Sequence, residues 1–385
     1  MQSHASRAGR WPLAFTLATL GTLGACAEQP TPVEPPTRAT AARDASPERQ
    51  DVIGLAGDRA HWADGYLRTE FLVATSQTLD PYDSFNRSGG SVVVTKVAGT
   101  TGRYIATFSG LSRLLNNEST VHVSGLANYG TEPTYCQPAA PYLASDKVEV
   151  RCFRIATGAP VDAKFSVLVT RNYADLAFAY AHRPTAASYA PAAKGSWNPV
   201  GTTQVTRSGV GKYLVTFKGL AAELPPGVGG HAQVNLVGTS NAHCTVQAWG
   251  SSGTPDLSVA VGCYTAAGVP VDARFTVLFL TPSDHLAYTL ADQPSATSRY
   301  QPSPVYTSNP SGGGATVIPY GGGRYHVSWD TVDAEIIGIG NLQVTAFGGN
   351  TRCILTSHGL EGAAVACFGP DGAPKESYFT MLLGS

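Results

Sequence analysis

One segment occurs three times in this chain, and that recurrence limits the folds open to it. Gly102-Arg-Tyr-Ile-Ala-Thr-Phe108 returns as Gly211-Lys-Tyr-Leu-Val-Thr-Phe217 and as Gly323-Arg-Tyr-His-Val-Ser-Trp329. An alternating segment follows each copy, and we align Val121-His122-Val123 with Val234-Asn235-Leu236 and Leu342-Gln343-Val344. Then come a first cysteine (Cys136, Cys244, Cys353) and a second (Cys152, Cys263, Cys367), the second always followed by Phe or Tyr. Each copy closes on a Gly-x-Pro turn and a last apolar run, from Gly158 to Phe165, Gly268 to Phe275 and Gly372 to Phe379. The period is about 105–110 residues, so the repeating unit is a whole domain rather than a solenoid coil.

Within the copies the apolar residues alternate. Tyr104, Ala106 and Phe108 share one face, as do Tyr213, Val215, Phe217 and Tyr325, Val327, Trp329, while the other face is largely polar. That is a strand with one side in a core and the other toward water. The same parity places Cys152 with Val148 and Val150, Cys263 with Val259 and Val261, and Cys367 with Ala363 and Val365. A charged fraction of only 14%, with 42 Gly and 26 Pro, argues for many turns and against long charged helices. The expected fold class is all-β: three tandem antiparallel β-sandwich domains of immunoglobulin-like size, over 59–172, 173–283 and 284–385, each with one disulfide. The Gly-x-Tyr tyrosine is a candidate for a phenol that bonds backbone, in the manner of a tyrosine corner.

Seven cysteines, one of them near the N-terminus, leave two per copy at matching places. The repeat therefore selects Cys136–Cys152, Cys244–Cys263 and Cys353–Cys367. Metal binding needs about four convergent ligands, and no CxxC or recurring His supplies them, so the sequence predicts no metal site and no cofactor. A net charge of −1 excludes the basic footprint of a nucleic-acid binder.

The N-terminus has a different character. Arg7 and Arg10 precede an apolar run from Trp11 to Leu23, then Leu23-Gly24-Ala25-Cys26. This is the layout of a secretory signal, residues 1–25. Leu23-Gly24-Ala25-Cys26 resembles the bacterial lipobox. The resemblance implies a diacylglycerol on the Cys26 sulfur, cleavage just before it, and a membrane attachment through the lipid. Ala27 after the cysteine is compatible with outer-membrane sorting in a cell that has one. Residues 26–58 carry Pro30, Pro32, Pro35, Pro36 and Pro47 with few large apolar residues, a composition that reads as a disordered or extended tether. In polyproline-like form about 25 residues reach at most roughly 75 Å.

No hydrolase, metalloprotease or phosphate-loop signature occurs in the chain. No histidine recurs at one repeat position: His122 aligns with Asn235, and His243 has Tyr135 and Arg352 as counterparts. Asp162 and Asp272 recur in the Pro-Val-Asp turn, with Glu376 in the third copy, and read as turn-capping carboxylates. Ionisable residues that drift between copies read as solvated surface. Trp329 reads as core. Trp197, whose counterparts are Phe85 and Ser308, and Trp249, whose counterparts are Pro141 and His358, are the candidate ligand contacts. Strict alternation from Cys244 puts Trp249 opposite the face of Val246 and Ala248.

The units resemble repeats of large secreted bacterial proteins, through the running pattern Gly-x-Tyr, Cys, Cys-aromatic and Gly-x-Pro-x-Asp from about residue 75 onward. That resemblance implies no particular activity. The expected function is a lipid-anchored, exported, non-catalytic binding or adhesion protein of the cell envelope, with a glycan or protein ligand. The alternatives are an envelope spacer, or a hydrolase whose site is confined to one copy, with His243, Asp256 and Asp272 as its first candidates.

Overall fold

The computed structural model describes residues 63–115, 118–127, 132–251, 253–330, 340–359 and 362–384. Cys26, the signal segment and the 26–58 tether lie outside the described residues. The first repeat gives β1 (Gly65–Arg68), β2 (Ser76–Thr78), β3 (Ser84–Asn86), β4 (Val92–Lys96), β5 (Arg103–Phe108), a short helix α1 (Ser112–Leu115), β6 (Ser119–Leu126), β7 (Thr134–Pro138), β8 (Lys147–Arg154) and β9 (Lys164–Arg171). The second gives β10 (Leu176–Ala181), β11 (Ser188–Tyr189), β12 (Thr203–Gly209), β13 (Lys212–Phe217), β14 (His231–Leu236), β15 (His243–Gly250), β16 (Leu257–Tyr264) and β17 (Phe275–Leu280). The third gives β18 (Leu286–Ala291), β19 (Ala315–Gly321), β20 (Arg324–Trp329), β21 (Asn341–Phe347), β22 (Arg352–Gly359), β23 (Gly362–Phe368) and β24 (Tyr378–Gly384).

The alternation read from the sequence becomes the core. Tyr104, Ala106 and Phe108 on β5 are fully buried, and their neighbours Arg103, Ile105 and Thr107 are half-buried. In the first repeat, this strand and β4, β8 and β7 face β1, β9 and β6 across one apolar cluster that includes Val94, Tyr104, Phe108, Val123, Val150, Phe165 and Val167. The second and third repeats build the same cluster from their own strands, including Phe217 and Phe275, and Trp329 and Phe379. Trp329 is core, as its parity requires.

Each disulfide joins the expected pair: Cys136–Cys152, Cys244–Cys263 and Cys353–Cys367. The two cysteines of each pair sit directly opposite on neighbouring antiparallel strands, β7/β8, β15/β16 and β22/β23. The bonds therefore staple one sheet to itself, unlike the inter-sheet pin of antibody domains. Such bonds form and persist in an oxidising, extracytoplasmic compartment.

The Gly-x-Tyr and Gly-x-Pro-x-Asp motifs turn out to be two halves of one contact. The phenols of Tyr104, Tyr213 and Tyr325 accept the backbone N–H of Ala163, Ala273 and Ser377 at 3.2, 3.1 and 3.1 Å. The tyrosine thus bonds backbone, but in the closing turn of its repeat rather than nearby in sequence. Asp162 accepts the N–H of Gly102 and Asp272 that of Gly211, at 2.8 and 2.9 Å. Gly102 has φ +65° and a side chain there would meet the Cys152 carbonyl oxygen at 2.5 Å, so only glycine fits.

Pairing of β6 with β9, β14 with β17 and β21 with β24 corrects one alignment. Phe165, Phe275 and Phe379 are equivalent, and opposite them stand Gly125, Leu236 and Ala346. The counterpart of His122 is therefore Gln233, not Asn235, and in the third repeat Gln343. The sequence match had slipped by two residues in the second copy, a slip that preserves parity and so leaves no trace in the apolar pattern.

The repeats close on one another in a cycle, within one compact unit spanning Ala56–Ser385. Ala127 N–H donates to Leu355 O, Gly348 to Val246 O and Gly238 to Pro138 O, at 2.9, 2.7 and 3.0 Å. These are one contact made three times, repeat 1 on 3, 3 on 2 and 2 on 1. Two of the three junctions fuse sheets of different repeats into eight-stranded sheets, through the parallel bridges Leu355–Leu126 and Val246–Phe347. The turn tips meet likewise: Gly158 at Ala266, Gly268 at Pro370 and Gly372 at Ala156, each with no room for a Cβ.

Candidate functional site

Along the closure, polar side chains that alternate with the core residues face a neighbouring repeat instead of water. Ser124 Oγ accepts the N–H of Val344 at 3.0 Å and donates to Gln343 Oε1 at 2.9 Å. Thr345 does the same toward Val234 and Gln233, and Asn235 Oδ1 accepts the N–H of Val123. A second ring runs beside it, with Ser166 Oγ donating to Leu342 O and Thr380 Oγ1 to Ala232 O, at 3.0 and 2.9 Å. Its third member, Thr276, has no hydrogen-bond partner for its buried hydroxyl among the described residues. That seam is the one where His122 replaces glutamine. Gln343 and Gln233 donate to Ser166 and Thr380, whereas the buried His122 meets Thr120 Oγ1 at a long 3.4 Å.

The expectation that drifting ionisable residues are solvated surface is overturned here. His122, His231, His243 and Arg352 are all buried. Burial pushes the three imidazoles down to about 3, because it penalises their charged form, and at His243 the Arg352 guanidinium pushes the same way. Asp272 lies at the other extreme. A two-pronged pair with Arg207 at 2.9 Å, with the Gly211 N–H and the Tyr213 phenol, holds its carboxyl below the ordinary range despite some burial. It clamps the closing turn of its repeat to the distant Gly211 turn, where the sequence suggested a carboxylate that caps its own turn. Asp256 accepts the Gly219 N–H at 2.9 Å, so His243, Asp256 and Asp272 are engaged in three separate contacts.

The two candidate tryptophans are half-buried, each with its indole N–H engaged inside the protein. Trp197 pairs with Phe178, as Phe85 pairs with Tyr66 and Ser308 with Tyr288, so its counterparts are those read from the sequence. Its Nε1 donates to Tyr173 O at 2.9 Å. Trp249 requires a correction. A β-bulge at Gln247 puts an extra residue into β15 and inverts the parity beyond it, so Ala248 is exposed and Trp249 returns to the side of Cys244 and Val246. There it packs against the second core, edge-on to Tyr306 and Phe347, with Nε1 donating to Gly229 O at 2.9 Å.

The residues just before the first cysteines, Tyr135, His243 and Arg352, differ in every copy and come together. All three line one cavity of about 60 Å³, whose wall also holds Ser124, Asn235 and Thr345 and the first cysteine of each repeat. The Arg352 guanidinium lies over the Tyr135 ring, 4.7 Å from its centre, and Nη2 donates to Thr265 O and Ala266 O at 3.3 Å each. Tyr135 donates to Asn241 O, and burial lifts its phenol to about 12. His243 Nε2 meets Asn350 O at 3.1 Å. These positions do not recur in the sequence, so alignment of the copies does not single them out. Their shared place beside an invariant cysteine was the available signal.

A second concavity, of about 340 Å³, lies beside Phe71 and Leu72, which are 74% and 60% exposed, large values for apolar side chains. Among the described residues, no group of three or more His, Cys, Asp or Glu side chains is placed to hold a metal ion. No protein-family model, curated protein or solved structure matches this chain.

Proposed function

We propose that this chain is an exported, lipid-anchored, non-catalytic binding protein of the cell envelope, and that it takes a ligand group at the cavity of Tyr135, His243 and Arg352. In this reading each repeat is a domain of immunoglobulin-like size, Cys26 carries the lipid, and residues 26–58 hold the domains clear of the membrane. The carrying observation is that one repeat position bears three different side chains around one cavity. Repeats kept for avidity would preserve three like sites. A spacer would need no divergence at all where the repeats meet. Divergence at one converging position is how a duplicated scaffold acquires a single asymmetric site.

The test is a screen of the processed full-length protein, solubilised in detergent, against envelope glycans, peptidoglycan fragments and peptides. Saturable binding of one ligand per chain, weakened at least tenfold by Tyr135→Ala in a folded variant, is the expected result. Three equivalent sites per chain, turnover of the ligand, or binding indifferent to Tyr135 would overturn the proposal.

A further inference from the structure

Arg352 is 4% exposed, yet among the described residues it makes no ion pair and no Asp or Glu lines its cavity. Its Nε and Nη1 are buried without a hydrogen-bond partner among the described residues. An arginine stays charged under all ordinary conditions, and a buried charge is stable only when paired and hydrogen-bonded. The guanidinium is also fixed in place by Tyr135 below it and by the two carbonyls on Nη2. A fixed cation with two vacant donors, and no acid to answer it, is a receptor for an anion.

The same wall carries one vacant acceptor. Gln137 is 2% exposed and spends its amide N–H groups on Gly238 O and Ser240 O, at 3.1 and 2.7 Å. That orientation leaves Oε1 buried and without a partner among the described residues. A bare anion would leave this oxygen unsatisfied. A ligand that brings both an anionic oxygen and a donor would answer both vacancies. Size narrows the choice: at about 10–15 Å³ per water-sized site, 60 Å³ admits about four to six heavy atoms. A lone halide underfills it.

We propose that the cavity binds a compact carboxylate that also carries a hydroxyl or amino donor, either as a free small acid or as the end group of a larger envelope ligand. The inference rests on the reading of this cavity as a ligand site. These atoms are closed to water in the ligand-free chain, so the cavity widens onto them as the carboxylate accepts from Arg352 Nε and Nη1 and the ligand's donor meets Gln137 Oε1.

The experiment measures thermal stability and calorimetric binding of the processed full-length protein with glycolate, glycine, acetate, glycolamide and chloride at equal ionic strength. Glycolate or glycine should bind saturably, acetate at least tenfold more weakly, and glycolamide and chloride not measurably. A dipeptide binding through its terminal carboxylate in place of the free acids would identify the end-group source. Arg352→Lys should weaken binding at least tenfold, and Gln137→Leu should abolish the preference for glycolate over acetate. Equal effects of all salts, or a response to chloride alone, would overturn the inference, as would glycolate binding unchanged in Arg352→Lys. Should Arg352→Lys fail to fold, the ligand series on the unaltered protein decides. An envelope ligand that still requires Tyr135, with no carboxylate in the series bound, would overturn this inference and leave the binding function standing.

Discussion

Ser124 and Val344 are 220 residues apart in the chain, yet the Val344 N–H donates to Ser124 Oγ at 3.0 Å inside a seam closed to water. The equivalent bonds Val234–Thr345 and Val123–Asn235 complete the cycle. Each satisfies a backbone donor that has no solvent to turn to, so each is costly to remove although modest in itself.

Ser124→Ala should therefore cost about 1–3 kcal/mol, the price of a stranded buried N–H. Ser76→Ala, at an exposed hydroxyl pair with Thr95, should stay within about 0.5 kcal/mol. Urea denaturation of both variants checks the contrast. Equal midpoints would mean that the seam contributes nothing.

Gly102 and Gly99 separate backbone strain from collision. Both have positive φ, +65° and +71°, but a Cβ at Gly102 meets Cys152 O at 2.5 Å, whereas one at Gly99 meets nothing within 4 Å. Gly99→Ala should cost about 1 kcal/mol from the left-handed conformation alone. Gly102→Ala should cost clearly more, since the carbonyl it strikes belongs to the disulfide strand. Thermal unfolding of the pair gives the difference directly.

Acid should loosen the closure before it attacks the clamps. His122, His231 and His243 titrate near 3 in the folded protein, far below the ordinary value of about 6.5. The unfolded chain thus binds more protons between those limits, and stability falls as pH drops from about 6.5 toward 3. The slope is about 1.4 kcal/mol per pH unit for each histidine. Asp272, held below 3.8, adds its own loss only further down, as its carboxylate protonates. His122→Gln, which restores the residue of the other two repeats, should flatten the profile by about one histidine. An unchanged slope in that variant would contradict the assignment.

Cys26→Ser should leave the protein either soluble or uncut in the membrane. A processed form of this variant that still partitions into detergent would rule out attachment through that cysteine, because a short peptide without acyl chains has little affinity for lipid.

Much of this architecture was legible in the chain because it is written locally. Period two in Tyr104, Ala106 and Phe108 fixes which face is buried, and the matching positions of the cysteines fix their pairing, since opposite residues on neighbouring strands come within bonding distance. Parity also fails locally. The bulge at Gln247 is one extra residue with no marker in the sequence, and it moved Trp249 from one face to the other. A two-residue slip hid the equivalence of His122, Gln233 and Gln343, because a shift of two leaves every face unchanged.

What the sequence by itself determined, then, is an all-β chain with its strand faces and its three staples, while the contact between Gly-x-Tyr and Gly-x-Pro-x-Asp came from the tertiary structure. Only the tertiary structure decided that the polar faces of β6, β14 and β21 meet other repeats rather than water, and that Tyr135, His243 and Arg352 share one cavity. The physical reason is that alternation reports that a face is polar, not what it faces. A hydroxyl or amide row is equally content against solvent or against a neighbour's backbone, and the choice is made by contacts more than 100 residues distant along the chain.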